Sequence, residues 1–150
     1  MKKQAIIAAI VAFLIGILLG GILFSDTQPR SILAITQCED CLSTNELTGL
    51  VGSVLVQKAP VLIPGKVLET DYTLVIEHPF PDYDTHLVLI PKKDIKDLGN
   101  LSVEDEVYIN DLIATASMII TQNNYENYRF WSNGPGWQGV NYLHFHLGVE

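Results

Sequence analysis

This 150-residue chain has little cysteine, little positive charge and few histidines. Only Cys38 and Cys41 are present, as Cys-Glu-Asp-Cys, so no disulfide framework can hold the fold. The pair itself stays open to three readings: half of a zinc site, a redox pair or a tight disulfide. A redox role is disfavoured because no thioredoxin-like βαβ pattern surrounds Cys38. Nine basic residues face 17 acidic ones, a formal charge of −8. Lys2 and Lys3 precede every acidic group, so the remainder carries seven basic against seventeen acidic residues, or −10. Such a balance excludes nucleic acid or an anionic membrane surface as the main partner. A small anionic substrate remains compatible, because a pocket can be locally positive inside an acidic shell. No internal repeat and no low-complexity tract is present, which excludes repeat architectures.

One long apolar run is present. Ala5 to Phe24 is 20 residues without a charge. As a helix it extends roughly 30 Å, the thickness of a bilayer core. A secretory h-region is usually only about 7–15 residues, and no small-x-small cleavage site follows at Leu23-Phe24-Ser25. The expectation is an uncleaved signal anchor over residues 1–25, crossing the membrane through residues 5–24. Lys2 and Lys3 should stay in the cytoplasm, which makes the chain a single-pass membrane protein with an extracytoplasmic soluble domain. Residues 26–37 read as a linker and residues 38–150 as one domain.

Within that domain, Glu46 to Gln57 fits either a helix or a strand. Val67 to Glu77 reads as a hairpin turning near Thr70-Asp71. His86 to Pro91 is a buried-strand pattern ended by proline. Ser102-Val-Glu-Asp105 is a capping signature, followed by a helical stripe of Ile109, Leu112, Ile113, Ala116, Ile119 and Ile120 that closes at Asn123-Asn124. Tyr128 to Trp131 is a strand, Asn133-Gly-Pro-Gly136 a tight loop and Val140 to Leu147 a closing strand. Strands, one long helix and two more strands give an α+β domain. Trp131 is expected in the core. Trp137, in the Gly-rich loop, fits a structural or a base-stacking role equally. Lys92 and Lys93 are read as solvated rather than phosphate-binding.

The closing strand carries the chemistry. Tyr142-Leu-His-Phe-His-Leu147 alternates polar with apolar, so Tyr142, His144 and His146 share one face while Leu143, Phe145 and Leu147 point into a core. Two imidazoles on one face let one attack or bind while the other holds a proton. Two of the chain's four histidines sit there.

Three stretches resemble the histidine triad (HIT) superfamily: Thr85-His-Leu-Val-Leu-Ile-Pro-Lys-Lys93, Leu101-Ser-Val-Glu-Asp105, and Asn133-Gly134 with Gln138-x-Val140 leading into the alternating strand. The likeness spans roughly residues 67–147. It implies a HIT-like antiparallel sheet with one long helix, here preceded by a single transmembrane helix, and a homodimer. It further implies a nucleotide hydrolase or nucleotidyl transferase that attacks the α-phosphate and passes through a nucleotidyl-histidine. His144 then stands as nucleophile and His146 as phosphate-contacting partner, with Tyr142 and His86 in support. Asn133, Gln138 and Gly139 stand at phosphate-contacting positions and His78 at the ribose position. No cofactor or metal is required. Two departures accompany the likeness: Tyr142 replaces the first triad histidine, and His78 stands where many members carry an aspartate. They leave a catalytically degenerate nucleotide-binding or interaction module as the alternative. Family members with an upstream CxxC often complete a zinc site with two histidines. Here those positions are Asp94 and Tyr142, so zinc at Cys38, Cys41 and Asp94 is not expected.

Overall fold

A computed structural model describes residues 2–23 and 44–150. Cys38, Cys41 and the linker at 26–37 lie outside the described residues. Helix α1 (Lys2–Leu23) contains the segment Gln4–Ile22, with a mean hydropathy of 2.9 and no buried residues. By length and composition this helix can cross a membrane.

The domain is built on a five-stranded antiparallel sheet. Its strands are β1 (Lys66–Glu69), β2 (Thr73–Glu77), β3 (Thr85–Pro91), β4 (Tyr128–Trp131) and β5 (Phe145–Val149), in the order β1-β2-β3-β5-β4. The last strand is therefore inserted between β3 and β4. Two helices accompany the sheet, α2 (Thr44–Lys58) and α3 (Glu106–Gln122). The segment that fitted helix or strand is thus helical, so the described part of the domain has a second α-helix beside the long one expected. Val56 of α2 is buried with Leu74, Val88, Ile90 and Tyr142, so packing decides what an ambiguous pattern left open.

Local chemistry fixes the element ends. The β1–β2 turn is tied at its base by Thr70, whose hydroxyl and that of Thr73 both donate to Asp111 of α3, at 2.6 and 2.7 Å. The Ser102 backbone N–H and hydroxyl donate to Asp105, at 2.7 and 2.8 Å, as the capping signature predicts. Lys93 pairs with the same carboxylate at 2.6 Å. These donors hold the Asp105 carboxyl below the usual carboxylate range, against the opposing effect of burial. After α3, Asn124 adopts a left-handed φ of 54°, which ends the helix.

Each strand has two faces with different contents. Opposed residues of an antiparallel pair point the same way. Leu87 opposes Leu147, which opposes Phe130, and Leu89 opposes Phe145. This face packs on Leu112, Ala116 and Ile119 of α3 in one apolar cluster with Val75, Ile95 and Leu143. Ile113 of the expected stripe is instead exposed. On the other face, His86 opposes Gly148 and Val88 opposes His146, which opposes Trp131.

The closing strand starts at Phe145, not at Val140. Pro91, at the end of β3, has no N–H to extend the ladder past the Leu89–Phe145 pair. Leu143 N–H donates instead to Ile95 C=O at 2.6 Å. The alternation survives without the ladder: Leu143, Phe145 and Leu147 all enter the core.

Candidate active site

All four histidines of the chain meet on the second face of the sheet. The strand order makes this possible. His78 follows directly after β2, His86 lies on β3 and His146 on the neighbouring β5, 60 residues further along the chain. His78 N–H donates to His86 C=O at 2.8 Å, which extends the β2–β3 pairing by one step and brings the two rings face to face, 4.2 Å apart and 7° from parallel. His86 and His146 are diagonal neighbours across β3 and β5. Gly148, opposite His86, leaves room for their rings to meet, and His86 Nε2 lies 3.1 Å from His146 Nδ1.

A side wall of aromatics encloses the pair. Trp131 stacks on His146 with centroids 5.0 Å apart and 14° between planes. Tyr83 meets the His86 ring edge-on at 5.4 Å, and its hydroxyl accepts from Arg129 at 3.2 Å. A Cβ at Gly148 would stand 2.7 Å from Cδ2 of Tyr83, so any larger residue there would have to displace the Tyr83 ring. Trp131 thus lines the histidine cluster, where its place in a strand had suggested the core. Tyr83 was not identified from the sequence. Its loop between β2 and β3 carries no motif, and only the glycine in an otherwise bulky strand hints at something crossing over it.

Hydrogen bonds define the tautomers. His144 Nδ1 lies 2.6 Å from the Tyr142 carbonyl, which can only accept, so Nδ1 carries the proton and Nε2 has the lone pair. Asp82 N–H donates to His86 Nδ1 at 3.3 Å. Neutral His86 therefore protonates at Nε2 and donates to His146 Nδ1, which leaves the His146 proton on Nε2. That nitrogen is buried and has no partner among the described residues. Ser132 fixes the backbone beneath the nucleophile-like ring, its hydroxyl donating to His144 C=O at 2.8 Å.

Burial favours neutral imidazole throughout. Desolvation lowers the His86 pKa, helped by nearby His78 and opposed by Asp82. Desolvation also lowers that of His144, against the raising effect of the Tyr142 carbonyl. His146 is pushed down to about 4 by desolvation and by the neighbouring His144, His86 and His78. At neutral pH the site thus contains one imidazole with a free lone pair beside another that offers a buried N–H.

The other expected residues fall around this centre. Tyr142 continues the row of His144 and His146 but is buried against Val56, Leu74, Val88 and Ile90, and its hydroxyl donates to Pro91 C=O at 2.6 Å. It serves His144 through its backbone carbonyl. Asn133, Gln138 and Gly139 lie on the loop between β4 and β5, with Gln138 buried and its side-chain nitrogen without a partner among the described residues. Trp137 on the same loop is 86% exposed. Asp94 is buried, outside the histidine cluster. Lys92 and Lys93 are not free in solvent: they pair with Glu69 at 2.8 Å and Asp105 at 2.6 Å. A cleft elsewhere, lined by Tyr72, Val103, Glu106, Val107 and Asn110, contains no histidine.

This arrangement matches known proteins. The family described as "Scavenger mRNA decapping enzyme C-term binding" matches residues 58–149. An uncharacterized HIT-like protein of Chlamydia muridarum is 33% identical over 85 residues, covering 55% of this chain and 68% of the relative. One of Synechococcus elongatus is 32% identical over 101 residues, covering 65% and 86%. Among solved structures, a HIT family hydrolase of Legionella pneumophila is 26% identical with a TM-score of 0.57, covering 63% of this chain and 88% of that one. A HIT family hydrolase of Clostridium thermocellum, at 20% identity and a TM-score of 0.59, shares the fold. The chain belongs to the HIT superfamily, through the decapping-enzyme C-terminal family that its residues 58–149 match.

Proposed function

We propose that this protein is a membrane-anchored HIT-type nucleotide hydrolase or nucleotidyl transferase acting at the α-phosphate through His144. The observation that carries the reading is the 2.6 Å bond from His144 Nδ1–H to the Tyr142 carbonyl. It leaves Nε2 unprotonated, and burial keeps the ring neutral. Nε2 attacks the α-phosphorus; a P–N bond forms while the bond to the leaving group breaks, and the leaving group takes the electron pair. Water or another acceptor then displaces the nucleotide and returns the lone pair to Nε2. The buried Nε2–H of His146 donates to a phosphate oxygen as charge grows there. His86 sets the tautomer that makes this donation possible. Asn133, Gln138 and Gly139 supply further contacts from their loop, and His78 lies where a ribose hydroxyl would be met.

The loss of the first triad histidine favours a second reading, a binding module without turnover. Against it, Tyr142 still supplies the carbonyl that orients His144, so the substitution spares the nucleophile. Helix α1 supports anchoring through residues 5–24, the extracytoplasmic placement of the domain rests on Lys2 and Lys3 ahead of the span, and apolar Val107, Ile113 and Met118 exposed on the domain's surface support a homodimer. The test uses the full chain in detergent with nucleoside phosphoramidates and dinucleoside polyphosphates. Wild type is expected to release nucleoside monophosphate and to show a nucleotidyl adduct by mass. His144→Ala should show neither, with turnover down by on the order of 10⁴-fold or more. Retained turnover in that variant would sink the assignment. Nucleotide binding without turnover in the wild type would establish the module instead.

A further inference from the structure

The nucleotidyl-transfer reading assigns no metal, yet three of its histidines have the geometry of a metal site. His78, His86 and His146 each offer one ring nitrogen, and the three nitrogens lie within 4.8 Å of one another. The His86 Nε2 to His146 Nδ1 separation is 3.1 Å. Two ligands of a tetrahedral centre with metal–nitrogen bonds of about 2.0–2.1 Å are about 3.3 Å apart. One edge of the ligand triangle is therefore already at ligand spacing. Closing the widest edge needs a shift of about 1.5 Å toward that spacing, within reach of a side-chain rotation of half-buried His78. His78 Nδ1 lies 2.6 Å from Phe80 C=O and 3.2 Å from the Phe80 N–H; the shorter contact favours the proton on Nδ1 and the lone pair on Nε2.

We propose that His78, His86 and His146 bind one late first-row divalent transition-metal ion, of the zinc class. Three imidazoles with no carboxylate suit such an ion and not magnesium or calcium, which take oxygen ligands. The ion, lying to one side of the line between the two nitrogens, replaces the hydrogen bond from His86 to His146. His86 keeps its single proton by moving it to Nδ1 and gives up the long 3.3 Å contact from Asp82. All three ligands bind as neutral rings, the form that burial already favours for His86 and His146. The acidic chain raises the local concentration of cations.

His78 is the residue that separates a metal site from a phosphate site. It stands at the position the family often fills with aspartate, it is half-buried, and its removal should leave the fold intact. The experiment takes the full chain in detergent with Cys38→Ser and Cys41→Ser, so that the thiols cannot bind the probe. Co²⁺ is titrated as a visible-spectrum probe, and Zn²⁺ in competition with a chromogenic chelator. One equivalent per chain is expected, with tetrahedral Co²⁺ bands and three paramagnetically shifted imidazole N–H signals. His78→Ala should weaken binding by more than the roughly 10–100-fold typical of a lost outer-shell partner. Binding unchanged in that variant, fewer than three shifted imidazole signals, or no stoichiometric binding would each overturn the proposal. No substrate is present in this titration, so the metal site and the nucleotidyl-histidine reading fail separately.

Discussion

The two faces of strands β3 and β5 use the same backbone for opposite ends. One face is a row of leucines and phenylalanines closed over by α3. The other is a cluster of imidazoles walled by Trp131 and Tyr83. Burial is nearly the same on both, with Leu147 at 0% and His146 at 6% exposure, but its consequences differ. On the apolar face burial stabilises the fold. On the histidine face it holds the rings neutral and leaves the Nε2 of His146 without a partner among the described residues, which lowers stability.

The contrast can be broken one face at a time. The largest effect is expected from His144→Ala, which should abolish turnover while thermal unfolding shifts by less than about 1 kcal/mol. A large loss of stability in that variant would mean that the histidine face also carries the fold. Leu147→Ala, next to His146 in the chain and on the opposite face, should cost about 2–5 kcal/mol in denaturant titrations. The protein that remains folded should keep its kcat.

Mild acid should weaken the histidine face first, before the depressed carboxylates of Asp105 and Glu69 take up protons. The folded pKa of His146 is about 4 against an ordinary value of 6.5, so below pH 6.5 the unfolded chain binds more protons than the folded one. Stability is therefore full above about pH 6.5 and falls as the pH drops toward 4, by about 3 kcal/mol for this group. Denaturant midpoints taken across that window should fall more steeply in wild type than in His146→Gln. Equal slopes would remove His146 as the cause.

The smallest effect is expected from Gly148→Ala. The new methyl would meet Tyr83 at 2.7 Å and push it off the His86 ring. The expected cost is about 1–3 kcal/mol with a reduced kcat, because the wall of the site shifts. A neutral result in both readouts would show that Tyr83 moves away freely and does not shape the site.

Much of this division is legible in the sequence. The alternation from Tyr142 to Leu147 assigns Leu143, Phe145 and Leu147 to the core and His144 and His146 to the other side, as found. The capping residues Ser102 and Asp105 and the break at Asn123-Asn124 bound the long helix correctly. Three features escaped. The segment 44–58 is helical because its residues pack on the sheet, which a short ambiguous pattern does not reveal. The closing strand starts five residues late because Pro91, far away in sequence, cannot pair with it. Trp131 looked like a core residue because periodicity shows that a strand residue is covered, not by what.

The sequence by itself determined which side chains are bound to opposite faces, since pleating alternates residues whatever the fold. It also determined where the backbone must turn or stop, since proline, glycine and capping groups act within a few residues. Only the tertiary structure decided that β5 lies between β3 and β4. That order places His78, His86 and His146 around one point and sets their protons by contacts such as the 3.1 Å pair across 60 residues. The reason is physical: a tautomer and a pKa depend on what lies within a few ångströms of the ring, and the residues that come that close are chosen by the folded topology.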